Sequence, residues 1–179
     1  MSTLDAPSPS EERRARLIAM LRESAAPVTG SELSTELGVS RQVIVNDVAI
    51  VRASGEPILG SPRGYVLTEM IDERPTSTIA CQHDREGWRR ELEILVDRGI
   101  SVVDVIVDHP LYGELAANLL VETRADIDRY IGALDEHEAQ PLSALTGGAH
   151  VHHVRAPNQD ALDAALRELA DAGILLGDD

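Results

Sequence analysis

Apolar positions recur along the chain with two periods, and the change from one to the other divides it. Leu17, Ile18 and Leu21 return at helical spacing, and Ser10 ahead of Glu11 and Glu12 offers an N-cap with carboxylates in the first turn, which predicts a helix to about Glu23. Thr29 or Gly30 opens a second, short helix through Leu33 and Leu37 that stops at Gly38. Ser40 caps a third helix to about Ala53, in which Ile44, Val48 and Val51 recur at i, i+4 and i+7 and face a core. Past Gly55, residues 57–60 and 64–67 flank the turn Ser61-Pro62-Arg63 and predict a small β-hairpin. This is the helix-turn-helix arrangement, and the hairpin makes it a winged one.

Met70 to Ser77 carries Asp72, Glu73, Arg74 and Pro75 without periodic apolar residues, so the boundary falls there, between domains at 1–69 and 77–179. Beyond it the period shortens. Thr78 to Cys81 reads as a strand ending near His83, and Trp88, Leu92 and Leu95 mark a helix from about Glu86 to Arg98. Strands follow at 100–107 and 115–121, a helix at 124–134, a strand at 150–154, a helix at 158–172 and a last short strand at 174–176. The order βαββαβ, with an added helix and strand, predicts an α+β protein whose C-terminal domain is a ferredoxin-like α/β sandwich of about 105 residues, enough for one core.

The strand at 150–154 concentrates the chemistry. Three of the six histidines fall in Gly147-Gly148-Ala149-His150-Val151-His152-His153-Val154, where alternation puts His150 and His152 on one face and Val151 and His153 on the other. Two neutral imidazoles two positions apart are half of a metal shell. A bare His-x-His also occurs on solvated edge strands, so the pair needs further donors.

The third helix presents a different surface. Opposite its core stripe, near the start, stand Ser40, Arg41, Gln42, Val45 and Asn46. Arg suits guanine, Gln and Asn suit adenine, and an apolar group suits the thymine methyl. Arg63, at the hairpin tip, is placed to meet a phosphate or the minor groove.

Charge at first opposes DNA binding, because the chain carries a net charge of -15. By segment it does not: residues 1–68 hold 7 Arg against 8 acidic residues, and residues 69–179 hold 9 against 23. The acidity belongs to the C-terminal part. All basic residues are Arg, Cys81 is the single cysteine, and no long apolar run or secretory pattern is present, so a cytoplasmic protein without a membrane span is expected.

Four stretches together carry a resemblance: Gly38 to Asp47 (GVSRQVIVND), Ser61 to Leu67 (SPRGYVL), Asp104 to Gly113 (DVIVDHPLYG) and Pro141 to His152 (PLSALTGGAHVH). In this order they are similar to the niacin-responsive transcriptional repressors, which join a winged helix to a three-histidine domain. The resemblance covers the chain from about Glu12. It implies a repressor that binds operator DNA when nicotinic acid is available and controls niacin uptake or NAD synthesis. It also implies metal ligation by His83, Glu91, His150 and His152. His153 departs from the family, where threonine is commoner, and alternation turns it away from the metal.

Three imidazoles and a carboxylate suit zinc, nickel, iron or manganese without choosing among them. His109 and Tyr112 are candidates for the effector pocket, with Arg89, Arg90 or Arg155 for an effector carboxylate, and His137 reads as a surface residue. The rival readings are a metal-dependent sensor of another metabolite and a small metallohydrolase. The second is disfavoured because such sites usually sit on barrels of about 250 residues and no nucleophile elbow, phosphate loop or dinucleotide motif occurs. The protein is therefore expected not to be an enzyme. Reading two half-sites one turn of DNA apart requires a homodimer.

Overall fold

A computed structural model describes residues 8–67 and 77–177. The expected boundary from Met70 to Ser77 lies, Ser77 apart, outside the described residues, as does the polar start up to Pro7. The chain divides into two compact units, Met1–Gly60 with Gly64–Asp72, and Ser61–Arg63 with Glu73–Asp179. Among the described residues no helix is long and apolar enough to cross a membrane.

In the first unit, α1 (Pro9–Glu23), α2 (Gly30–Leu37) and α3 (Arg41–Ala53) precede β1 (Ile58–Ser61) and β2 (Gly64–Leu67). The N-cap of α1 is Ser8, not the expected Ser10. Ser8 accepts from the Glu11 N–H while Glu11 reaches back to the Ser8 N–H, a complete capping box with Pro9 at the first helical position. Thr29 and Glu32 repeat the box on α2, and Gly38 ends that helix at φ 66°. Ile44, Val48 and Val51 are buried as expected, against Leu17, Leu21, Leu33, Ile58 and Leu67. Val28 exchanges main-chain hydrogen bonds with Tyr65 beside the hairpin, a pairing its isolated position in sequence gave no sign of.

The second unit runs β3 (Ser77–Gln82), α4 (Gly87–Val96), β4 (Ser101–His109), β5 (Gly113–Val121), α5 (Arg124–Glu136), a 3-10 turn (Leu142–Thr146), β6 (Ala149–Arg155) and α6 (Gln159–Asp171). The strands form one antiparallel sheet in the order β3-β6-β4-β5. Both ends of the β3-α4-β4 crossover therefore run the same way with β6 inserted between them, a split β-α-β whose inserted strand is the last of the four and not, as in the expected ferredoxin-like order, the third. Leu92, Ile94, Leu95, Ile127, Leu162, Ala165 and Leu169 from the helices pack on Ile79, Cys81, Val102, Leu119, Val121 and Val154 from the strands. The expected last strand is reduced to a bridge between Leu175 and Cys81, with Gln82 N–H on the Ile174 carbonyl and Leu176 N–H on the Ala80 carbonyl. Those bonds occupy the outer edge of β3, which would otherwise be open to pairing.

Candidate metal centre and DNA-reading helix

Strand alternation works as the sequence implied: His150, His152 and Val154 are buried on the helix-facing side of β6, while Val151 and His153 turn to the other. Register puts Cys81 opposite His150, and His83 follows directly on the end of β3. From the facing layer, α4 buries Trp88, Glu91, Leu92 and Leu95 along one stripe. A carboxylate thus sits at a core position, 2% exposed.

Around it the imidazoles converge. His83 Nε2 is 2.6 Å and His150 Nε2 3.2 Å from Glu91 Oε2, and His152 Nε2 is 3.4 Å from Oε1. The rings meet edge to face, at 5.0 Å for His83 with His150 and 4.7 Å for His150 with His152. Each Nδ1 faces a main-chain carbonyl, that of Asp84 at 2.7 Å for His83, Gly148 at 2.7 Å for His150, and Asp104 for His152. A carbonyl can only accept, so each Nδ1 carries its ring's proton and each Nε2 directs a lone pair inward. Lone pairs and a carboxylate aimed at one another need cations between them. Glu91 Oε1 is buried without a hydrogen bond, an omission costly for a charged oxygen. The donor set fits a divalent ion, and the ligand atoms of His83, Glu91 and His150 lie within 4.8 Å of one another. His152 stands slightly apart, on the other carboxylate oxygen.

Protonation follows the same geometry. Burial works to raise the Glu91 pKa, yet the His150, His152 and His83 rings gathered round it hold it well below the usual carboxylate range. For His83 and His152 burial works downward, and the Glu91 carboxylate raises both above the ordinary value. Two glycines leave room for His83: a Cβ on Gly148 would lie 2.0 Å from the His83 carbonyl oxygen, and one on Gly87 2.5 Å from its Cβ.

A small cleft of about 20 Å³ opens beside the cluster, walled by Trp88, Leu92, Val105, Leu119, Tyr130, Pro141, Leu142 and Ser143. That space holds about one water, well below the size of a ligand site. Neither His109 nor Tyr112 lines it. They stack on each other at 4.9 Å at the tip of the β4–β5 hairpin, where the His109 Nδ1 accepts the N–H groups of Leu111 and Tyr112. The candidate arginines are elsewhere too. Arg89 pairs with Asp128 at 2.8 Å and Arg90 with Glu168 at 2.9 Å, and Arg155 lies on the last position of β6, away from the cleft. His137 is an exposed helix end, as expected.

On α3 Arg41, Gln42, Val45 and Asn46 are all exposed, with Gln42 donating to Asn46 at 3.1 Å. Ser40 caps the helix through Val43 N–H and is exposed at its start. Arg63 occupies the turn between β1 and β2, its main-chain N–H on the Ser61 hydroxyl, but its guanidinium is held by the Leu120 carbonyl and by Glu122 and Asp126, so it is not presented to a phosphate or groove as expected. Behind this face of α3, buried Asp47 accepts from Arg13 at 2.6 and 3.1 Å and fastens the helix to α1.

Comparison with known proteins agrees with this division. Residues 13–66 match a helix-turn-helix (HTH) domain and residues 76–178 match the 3H domain. The chain is 39% identical over 169 residues to "Transcription repressor NadR" of Bacillus subtilis, covering 93% of this chain and 94% of that one. It belongs to the NadR/NiaR family of transcription repressors. The "Probable transcription repressor NiaR" of Thermotoga maritima is 36% identical over 166 residues, again with 93% and 94% covered. This chain is accordingly a DNA-binding transcription repressor of that type and not an enzyme.

Glu91 was accessible from the sequence by a route other than family resemblance. Trp88, Leu92 and Leu95 define a buried stripe, and a glutamate three residues after Trp88 falls on it. An acidic residue on an apolar stripe signals a partner cation.

Proposed function

We propose that this repressor carries a divalent transition metal, zinc, nickel, iron or manganese, on His83, Glu91, His150 and His152, and answers to nicotinic acid bound beside it. The observation behind the reading is the inward convergence of three Nε2 lone pairs on a buried carboxylate with an unpartnered oxygen. When bound, the metal supplies a Lewis-acid centre that can take a nitrogen or oxygen donor.

The cleft supports a small aromatic ligand. Trp88, Tyr130 and Ser143 line it with two aromatic rings and a hydroxyl, partners for a single substituted ring that would enter by moving these walls apart. Among the described residues no arginine lines it, so the negative charge of a carboxylate depends on the metal. That absence also favours, as a second reading, a neutral relative such as nicotinamide or another small metabolite.

Operator DNA is read by Arg41, Gln42, Val45 and Asn46, with Ser40 on a phosphate, and two copies of the chain act as a homodimer on paired half-sites. The DNA-bound role implies a cytoplasmic protein. Calorimetry of the metal-loaded and metal-stripped protein against nicotinate, nicotinamide and NAD tests the reading. It requires heat of binding with nicotinate that disappears on stripping. Binding to nicotinamide alone selects the second reading, and nicotinate binding untouched by stripping removes the metal from the effector site.

A further inference from the structure

Asp104 does two jobs at an irregularity in the sheet, and only one of them belongs to a sheet. Between Val102↔Val154 and Ile106↔Val151, β4 advances four residues while β6 advances three. On its other side β4 advances two residues, Val102 to Asp104, while β5 advances three, Val121 to Asn118, and Leu120 in that step has φ 53°. The ladder is broken on both flanks of Asp104. In an unbroken antiparallel pair the His153 main-chain N–H would go to a main-chain carbonyl of β4. Here it goes to the Asp104 carboxylate, with Oδ1 at 2.9 Å, while Oδ2 stands 2.8 Å from His153 Nδ1. The Asp104 carbonyl is thereby released from the ladder and receives the Nδ1–H of His152 on the opposite face.

We propose that Asp104 is a positioning residue of the metal centre: its carboxylate substitutes for the ladder bond so that its carbonyl can fix the tautomer and rotation of His152. The proposal rests on the metal reading above. Bulges commonly re-aim groups beside functional sites, and outer hydrogen bonds of this kind decide which ring nitrogen a ligand histidine presents. The other imidazoles are held locally, His83 by the next residue and His150 by the residue two before it. His152 alone depends on a carbonyl 48 residues away in sequence. His153, on the far face, acquires a purpose by the same argument. With its main-chain N–H and its ring it grips both oxygens of the carboxylate.

Asp104→Leu removes the carboxylate, and Asp104→Asn keeps an acceptor for the His153 N–H. Zinc affinity of the full-length protein is measured by competition with a chromophoric chelator, and the visible spectrum is recorded after loading with Co2+. Asp104→Leu should bind zinc about 10- to 100-fold more weakly and show an altered Co2+ spectrum, while Asp104→Asn stays close to the parent in both. Parent-like affinity and spectrum in Asp104→Leu overturn the proposal and leave the metal reading standing. A parent that takes up no metal overturns both. Should Asp104→Leu fail to fold, nitrogen-15 spectra of the zinc-loaded parent decide: a His152 Nδ1 proton protected from exchange supports the proposal, and one exchanging as freely as in an open imidazole, or zinc held through Nδ1, overturns it.

Discussion

His83 Nε2 and Glu91 Oε2 stand 2.6 Å apart although the single ring proton of a neutral His83 is committed to the Asp84 carbonyl. Without metal, an additional proton must lie between them. Under the proposed function the site would exchange metal for protons, and its pH behaviour should reverse on metal removal.

In the metal-free protein His83 and His152 titrate above their ordinary 6.5 and Glu91 well below 4.5. A raised histidine contributes stability that is full below 6.5 and lost as pH rises through its folded value. A depressed glutamate contributes stability present above 4.5 and lost as pH falls through its own. Metal-free protein should be most stable between these limits and weaken above pH 6.5, whereas zinc-loaded protein should gain stability with rising pH. Cys81 and Tyr130, both pushed up by burial and by the Glu91 charge, remain protonated throughout. Thermal unfolding of both forms across this range checks the reversal, and parallel trends would count against the shared protons.

The paired glycines before the histidine strand should respond unequally to alanine. Gly147, at φ 65°, has nothing within 4 Å of an added Cβ, so Gly147→Ala costs only the left-handed backbone, about 1 kcal/mol. Gly148, at φ 95°, would drive its Cβ to 2.0 Å from the His83 carbonyl oxygen and displace a ligand. Gly148→Ala should cost at least about 2 kcal/mol in urea unfolding and sharply reduce bound zinc by elemental analysis. Equal losses at the two positions would show that the backbone, and not His83, is the sensitive element.

Much of this was legible in order along the chain because the signals are local. The cap residues Thr29 and Ser40, the stripe Ile44-Val48-Val51 and the alternation His150-Val151-His152 each read one element from its own residues. What escaped depends on distant partners. The Val28–Tyr65 bridge, the break at Asp104 and the position of Tyr112 outside the cleft are consequences of register and packing between segments far apart in sequence. Ser8 was passed over for Ser10 because the Ser-x-x-Glu spacing that identifies the cap begins two residues earlier.

Stability and DNA affinity should separate cleanly on α3. Asp47 is 2% exposed and held by Arg13, so Asp47→Ala strands a partly buried guanidinium, releases α3 from α1 and should cost about 2 to 4 kcal/mol of stability. Arg41 is exposed, and Arg41→Ala should leave stability within about 0.5 kcal/mol while lowering operator affinity by about 1 to 3 kcal/mol and relaxing sequence preference. Urea unfolding and gel-shift titration of the two variants test the separation. Unchanged operator binding by Arg41→Ala would take this face of α3 out of the interface.

The metal cluster, from His83 to His152, and the reading helix, Arg41 to Ala53, belong to different units of the chain. Under the proposed function an effector in the cleft would act on DNA binding by favouring one arrangement of a dimer, which requires it to bind the DNA-competent arrangement more tightly. Linkage makes the effect mutual. If nicotinate tightens operator binding by a factor, operator tightens nicotinate binding by the same factor, expected at about 5- to 150-fold. The affinity of the metal-loaded protein for nicotinate, measured with and without saturating operator, must then differ by the ratio that gel-shift titrations give with and without nicotinate. An effector that binds in the cleft equally well in both cases leaves the equilibrium where it was, however tight its binding, and the repressor would have to be controlled by something else.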